Sequence, residues 1–219
     1  MNRLLIYGLS LAIVLFSFFA CTKEYSQENN QLPGISNNGT GGCKSCTHIP
    51  WCDQSYYAYV DSTSLGVDTT EYYYEFLGDT TINGLVFTKT NDGAGYTVYH
   101  NCQNNTTTIL SPDFGNTLFA HTLLNAKLLV GNVWIDSFPG NPFYNKTKYK
   151  ILSKSTTRTV RGNLFVDVIR VQEDDFLDST LLTSSNVFYA RGIGEIEKIT
   201  VDTSGQQLLH RVILEHQIP

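Results

Sequence analysis

The residues most able to do chemistry in this sequence are its cysteines. There are five, an odd number, and three of them fall in one short stretch. That stretch reads Cys43-Lys44-Ser45-Cys46-Thr47-His48-Ile49-Pro50-Trp51-Cys52, with Cys21 before it and Cys102 far downstream. Two chemistries suit such a set. Oxidised, the thiols pair as disulfides. Deprotonated, Cys43, Cys46 and Cys52 with His48 or Cys102 could hold zinc. Zinc modules usually carry a second Cys-x-x-Cys pair, and this chain has none. A redox centre needs a thiol whose pKa is lowered, for example at a helix N-terminus. Cys43-Lys44-Ser45-Cys46 instead follows a Gly-rich stretch. Disulfides are therefore the expectation for Cys43, Cys46, Cys52 and Cys102, and no metal is assigned.

Other reactive patterns are weak. The chain has no Gly-x-Ser-x-Gly elbow, no His-Glu-x-x-His and no phosphate-binding loop. Glu173-Asp174-Asp175 with Asp178 is the densest acidic group. It lacks the alternating spacing and glycine of a calcium loop, so it reads as a solvated loop between strands. Gly192-x-Gly194 is flanked by strands and reads as a bend. His210 and His216 lie six positions apart on one strand, about 20 Å, too far to share a metal. No catalytic residue and no cofactor is assigned.

The scaffold must explain where such cysteines survive oxidised. The chain has 219 residues, 42% hydrophobic and 16% charged, with net charge −5 and pI near 5.5. That suits one domain and argues against a nucleic-acid partner. Residues 1–20, MNRLLIYGLSLAIVLFSFFA, place Arg3 before a long apolar run, and Cys21 follows Ala20 directly. This resembles a bacterial lipoprotein signal. The resemblance implies cleavage before Cys21, acylation of Cys21, and membrane lipid as a partner through that group. It also implies an oxidising compartment and leaves four cysteines, an even set. Three connectivities are open. Cys43–Cys52 with Cys46–Cys102 is favoured, because a bridge within Cys43-x-x-Cys46 closes a tight loop. Removing residues 1–20 takes away Arg3 alone among the charges and leaves a net charge of −6.

Residues 21–42 hold the anchoring cysteine and a polar Asn-, Gln- and Gly-rich tether with a span of about 25 Å. Residues 43–219 form the single domain. From Ser55 onward, apolar and aromatic residues alternate at period two between turn signals such as Asn83-Gly84 and Arg161-Gly162-Asn163. Tyr72, Tyr74 and Phe76 share one face of such a run. Gly78-Asp79 reads as a turn, and Phe119, Leu123 and Ala126 suggest one short helix within residues 112–127. The pattern predicts an all-β fold of roughly ten strands. The first choice is an antiparallel meander wrapped as a strongly curved sheet, an open barrel or half-barrel. A two-sheet sandwich is the alternative.

Several segments resemble uncharacterised exported lipoproteins of Bacteroidota. They are CKSCTHIPWCDQSYYAYVDS, GDTTINGLVFTK, and TVRGNLFVDVIRVQ followed by FYARGIGEIEKI. The resemblance implies an exported β-domain at the outer membrane, facing the periplasm or the cell surface, and no established reaction. The leading expectation is a non-enzymatic module that binds an apolar ligand or an envelope protein. The alternatives are an envelope glycan hydrolase with dispersed acids and a structural accessory subunit.

Overall fold

Strands follow one another through the chain because period-two alternation recurs between turns that demand positive φ. Asn83-Gly84 (φ 53° and 79°) and Arg161-Gly162 (φ 50° and 82°) take up the left-handed conformations that tight hairpins require. The computed structural model describes residues 46–91, 97–112, 118–138 and 141–219. These all belong to one compact unit, Gly39–Pro219. The signal at 1–20, Cys21, the tether at 22–42 and Cys43 lie outside the described residues.

Twelve strands are present among the described residues. They are β1 (Ser55–Thr63), β2 (Gly66–Ile82), β3 (Leu85–Asn91), β4 (Thr97–Gln103), β5 (Thr106–Pro112) and β6 (Leu118–Asn125), followed by β7 (Val133–Ser137), β8 (Lys146–Val160), β9 (Asn163–Leu177), β10 (Thr180–Ala190), β11 (Gly194–Asp202) and β12 (Gln207–Gln217). They form one antiparallel sheet in the order β6-β5-β4-β3-β2-β1-β12-β11-β10-β9-β8-β7. Chain neighbours pair except at β6 and β7, and β1 with β12 joins the two halves. The fold is all-β, a meander wrapped into a nearly closed barrel, and not a sandwich.

The two sheet edges, β6 and β7, are consecutive in sequence, and side chains join them. The Thr122 amide donates to Asp136 Oδ2 at 2.7 Å. Trp134 Nε1 donates to the Thr122 carbonyl at 2.9 Å. A strand edge left with free amides is a pairing hazard, and these bonds occupy it. The inner face is identified by contacts between strands that are not neighbours. Leu124 of β6 packs with Tyr149, Ile151, Ile169, Val171, Val187 and Tyr189 of β8–β10. A second cluster forms where bulges bend the β8–β9 hairpin, so that Val160 and Phe165 reach Phe188, Ile196 and Ile213. Arg158 locks that bend. Its Nε is 2.6 Å from Glu197 Oε2, while His210 Nε2 lies 2.9 Å from Glu197 Oε1. His210 is thus half of a structural pair.

Three local expectations are corrected. Residues Leu118–Asn125 are strand, not helix, because β5 offers a ladder along their length. A bulge between Thr107 and Thr108 breaks the strict alternation there, which is why the spacing mimicked a helix. Gly78 is not a turn: β2 runs on through it with a register shift and φ of 106°. Glu173-Asp174-Asp175 is not a loop but the interior of β9, and Glu173 is buried.

Candidate functional site

The segment from Cys46 to Gln54 crosses one end of the barrel as a plug. It is too short and too rich in turns to add a strand, so it is held by bonds at many points. Cys46 is disulfide-bonded to Cys102 of β4. The Gly192 amide donates to the Thr47 carbonyl at 2.7 Å. His48 Nε2 lies 3.0 Å from the Asp167 carbonyl. Burial pushes the His48 pKa down, against the pull of Asp167. Tyr57 donates its hydroxyl to the Pro50 carbonyl at 3.1 Å, and the Phe76 amide donates to Asp53 Oδ1 at 2.9 Å. Cys52 is also disulfide-bonded. With Cys46, Cys52 and Cys102 oxidised, these sulfurs are not available as zinc thiolates.

The plug leaves a pocket of about 120 Å³ beside it. Ile49, Pro50, Leu123 and Ile193 supply aliphatic wall. Trp51, Tyr57, Tyr74 and Tyr189 supply rings, and Glu195 supplies the pocket's carboxyl. The fold brings these together from the plug and from β1, β2, β6, β10 and β11. Gly194 (φ 112°) lets the chain bend into β11 beside Pro50; this bend is the structural role of Gly192-x-Gly194. Glu195 then faces inward because it pairs with Tyr189, an inner-face residue.

Trp51 Nε1 and Glu195 Oε1 are buried without a hydrogen-bond partner among the described residues, as are polar side-chain atoms of His48, Thr107, His121 and Asn125. Native proteins leave few such atoms unsatisfied. Burial raises the Glu195 pKa, opposed by the nearby Lys198 and Arg211 charges. Those two cations are committed elsewhere. Lys198 Nζ is 2.8 Å from Glu173 Oε2. Arg211 grips Asp61 through Nε at 2.8 Å and through its second nitrogen at 2.7 Å. Tyr189 adds a long bond to Glu173, 3.4 Å, and burial raises its pKa.

Sequence reasoning found the disulfide pair and missed the pocket. Of the residues it named, the fold joins Cys46 to Cys102, while Cys21 and Cys43 lie outside the described residues. Trp51 stood in plain view inside the cysteine cluster. Glu195 carried a faint signal, since an acid in a strand that alternates against apolar neighbours is unusual on a buried face. No group of three or more metal-binding side chains occurs among the described residues.

No family model matches the chain, and no curated protein sequence matches it. Two solved structures are similar to it. One is a Bacteroides fragilis protein described as exported, with a YmcC-like fold; the match covers 75% of this chain and 96% of that one at 10% identity and a TM-score of 0.44. The other is a Parabacteroides distasonis protein described as a lipoprotein; the match covers 79% of this chain and all of that one at 11% identity and a TM-score of 0.46.

Proposed function

We propose that this protein is a lipid-anchored module of the bacterial envelope, held at the outer membrane by acylated Cys21, that binds a small ligand without transforming it. The observation that carries the binding role is the plug pocket, walled by the rings of Trp51, Tyr57, Tyr74 and Tyr189, by aliphatic side chains and by Glu195. The anchoring role rests on the sequence, in which the apolar run ends directly at Cys21.

The pocket narrows the ligand. Its volume of about 120 Å³ is close to that of an engineered cavity of about 150 Å³ that takes benzene, so it fits a group of that size. A glycan hydrolase would need two carboxyls about 5–10 Å apart across the scissile bond. Glu195 is the one acid in the pocket lining, and Glu173 is buried and tied to Lys198.

Native mass spectrometry after mild detergent extraction tests the binding role. A reproducible small molecule on the protein is the expected result. A stoichiometric protein partner with no small molecule would refute it and favour an accessory subunit. Cys21→Ala protein should leave the membrane fraction; if it still sediments with membranes, the anchor assignment is wrong.

A further inference from the structure

Charge is spread unevenly along this acidic chain. Residues 126–160 hold Lys127, Lys146, Lys148, Lys150, Lys154 and Arg158 against one acid, Asp136, in a protein of net charge −5. Asp136 is occupied by the Thr122 amide. We propose that the turn between β6 and β7, with the outer face of the β7–β8 pair, docks on acidic phospholipid headgroups of the bilayer that holds acylated Cys21. The proposal rests on the anchor reading above and is independent of the pocket.

The pleat puts the lysines beside apolar side chains. Trp134 stacks on buried Tyr149 with ring centroids 4.9 Å apart, so this pair faces inward. Their neighbours along each strand therefore face out. Val133 lies opposite Lys150, and Ile135 opposite Lys148, on that outer face. Val133, Ile135 and both lysines are exposed. Lys146, next on the same face, lies over the Phe176 ring at 4.7 Å. The acid opposite Lys148 on β9 is Asp174, which accepts bonds from Gln172 Nε2 and Ser184 Oγ instead.

The turn extends the patch. Leu129 and Val130 are 72% and 57% exposed, beside exposed Lys127. Lys154 Nζ donates to the Ala126 and Leu128 carbonyls at 2.6 and 3.1 Å, and the Gly131 amide donates to the Ile151 carbonyl at 2.8 Å. The turn is thus held in shape with its aliphatic tips in water, so little ordering cost opposes docking. Aliphatic tips flanked by lysines suit the headgroup layer of an acidic membrane.

The anchor leads to the same end of the barrel. The Thr47 hydroxyl donates to Asn105 Oδ1 at 2.9 Å, and the Ala126 amide donates to the Asn105 carbonyl at 3.0 Å. The chain from Cys21 therefore enters the described domain beside this turn. Its polar tether spans about 25 Å, which keeps the patch within reach of the lipid. Tethering makes docking intramolecular, so a weak contact suffices. Each lysine near an acidic surface strengthens it by about fivefold. Docking adds to the acyl anchor and does not replace it, so Cys21→Ala protein still leaves the membrane.

The test is backbone hydrogen exchange of acylated mature protein on vesicles of phosphatidylcholine and on vesicles of an equal mixture with phosphatidylglycerol. Exchange at residues 127–130 should be at least about fivefold slower on the mixed vesicles. The turn at residues 203–206, at the far end of β11, should exchange alike on both. Lys127→Gln with Lys148→Gln and Lys150→Gln should abolish the difference. Equal exchange at 127–130 on both vesicles, with the protein still bound to them, would overturn the docking and leave the anchor standing. Protein that stays on neither vesicle would refute the anchor reading and this proposal with it. Slowing that grows with protein concentration in detergent, without vesicles, would assign the surface to a second copy of the chain and overturn the lipid assignment. The vesicle comparison on unaltered protein decides the matter even if the triple variant fails to fold.

Discussion

The Cys46–Cys102 bridge should supply a large share of this domain's stability, and the share can be worked from chain entropy. The bridge closes a loop with a sequence separation of 56. A loop of that length, left unclosed, gives the denatured chain extra freedom of about 4 kcal/mol at room temperature. The perturbation is Cys46→Ala with Cys102→Ala, so that no free thiol remains to exchange. The assay is urea unfolding of mature protein followed by circular dichroism. With a slope of about 2 kcal/mol per molar, the midpoint should fall by about 2 M. In thermal unfolding the drop should be on the order of 10 °C for a chain of this size. The slope should also rise, because the uncrosslinked denatured chain exposes more surface. A second readout is local. The Gly192 amide, bonded to the Thr47 carbonyl at 2.7 Å, should exchange its hydrogen faster once the plug loses its clip. A midpoint shift below about 0.5 M with an unchanged slope would refute the reasoning. It would mean that the plug's hydrogen bonds already restrict the segment as fully as the sulfur bridge does.

Three further outcomes follow from individual contacts. Acid unfolding should proceed through two windows. Burial lowers the His121 pKa to about 4 from 6.5, so its contribution is full above pH 6.5 and is lost as pH falls toward 4. The Arg211 bond lowers the Asp61 pKa from 3.8, with burial opposing, so its contribution is full above that value and is lost at lower pH. His121→Gln should flatten the first slope and Asp61→Asn the second; pH–stability curves unchanged by either would contradict this. Asp136→Ala strips the Thr122 amide of its acceptor at the β6–β7 seam and should cost about 1–3 kcal/mol, read by urea midpoint together with faster exchange at Thr122. Unaltered exchange there would show that the seam is closed by something other than this bond. Burial raises the Glu195 pKa, so its ionisation opposes folding increasingly as pH rises above 4.5. Ligand-free Glu195→Gln protein should therefore be more stable than the parent at neutral pH, by about 0.5–2 kcal/mol, as expected where a functional group is held at a cost to stability. A lower melting temperature for the Glu195→Gln protein would argue that Glu195 is structural.

What the sequence by itself determined is local, and its physics is local. Tyr72, Tyr74 and Phe76 alternate because side chains on an extended chain point to opposite faces, and these three do line the inside. Asn83-Gly84 and Arg161-Gly162 mark hairpins because few residue pairs accept two successive positive φ values. The cysteine count and the signal-like start pointed to oxidised pairs, and Cys46–Cys102 is one of them. Tertiary structure decided whatever depends on a distant partner. Residues 118–125 carry a spacing that a helix would also satisfy, and only the β5 ladder selects the strand. Glu173 reads as a solvated acid until Lys198, 25 positions later, is placed against it. Barrel closure depends on Asp136 reaching Thr122 across the seam, which no periodicity encodes. The pocket is the clearest case. Its walls come from the plug and five strands, from Ile49 to Glu195, and rings, aliphatic groups and one carboxyl so distant in sequence meet only once the chain has folded.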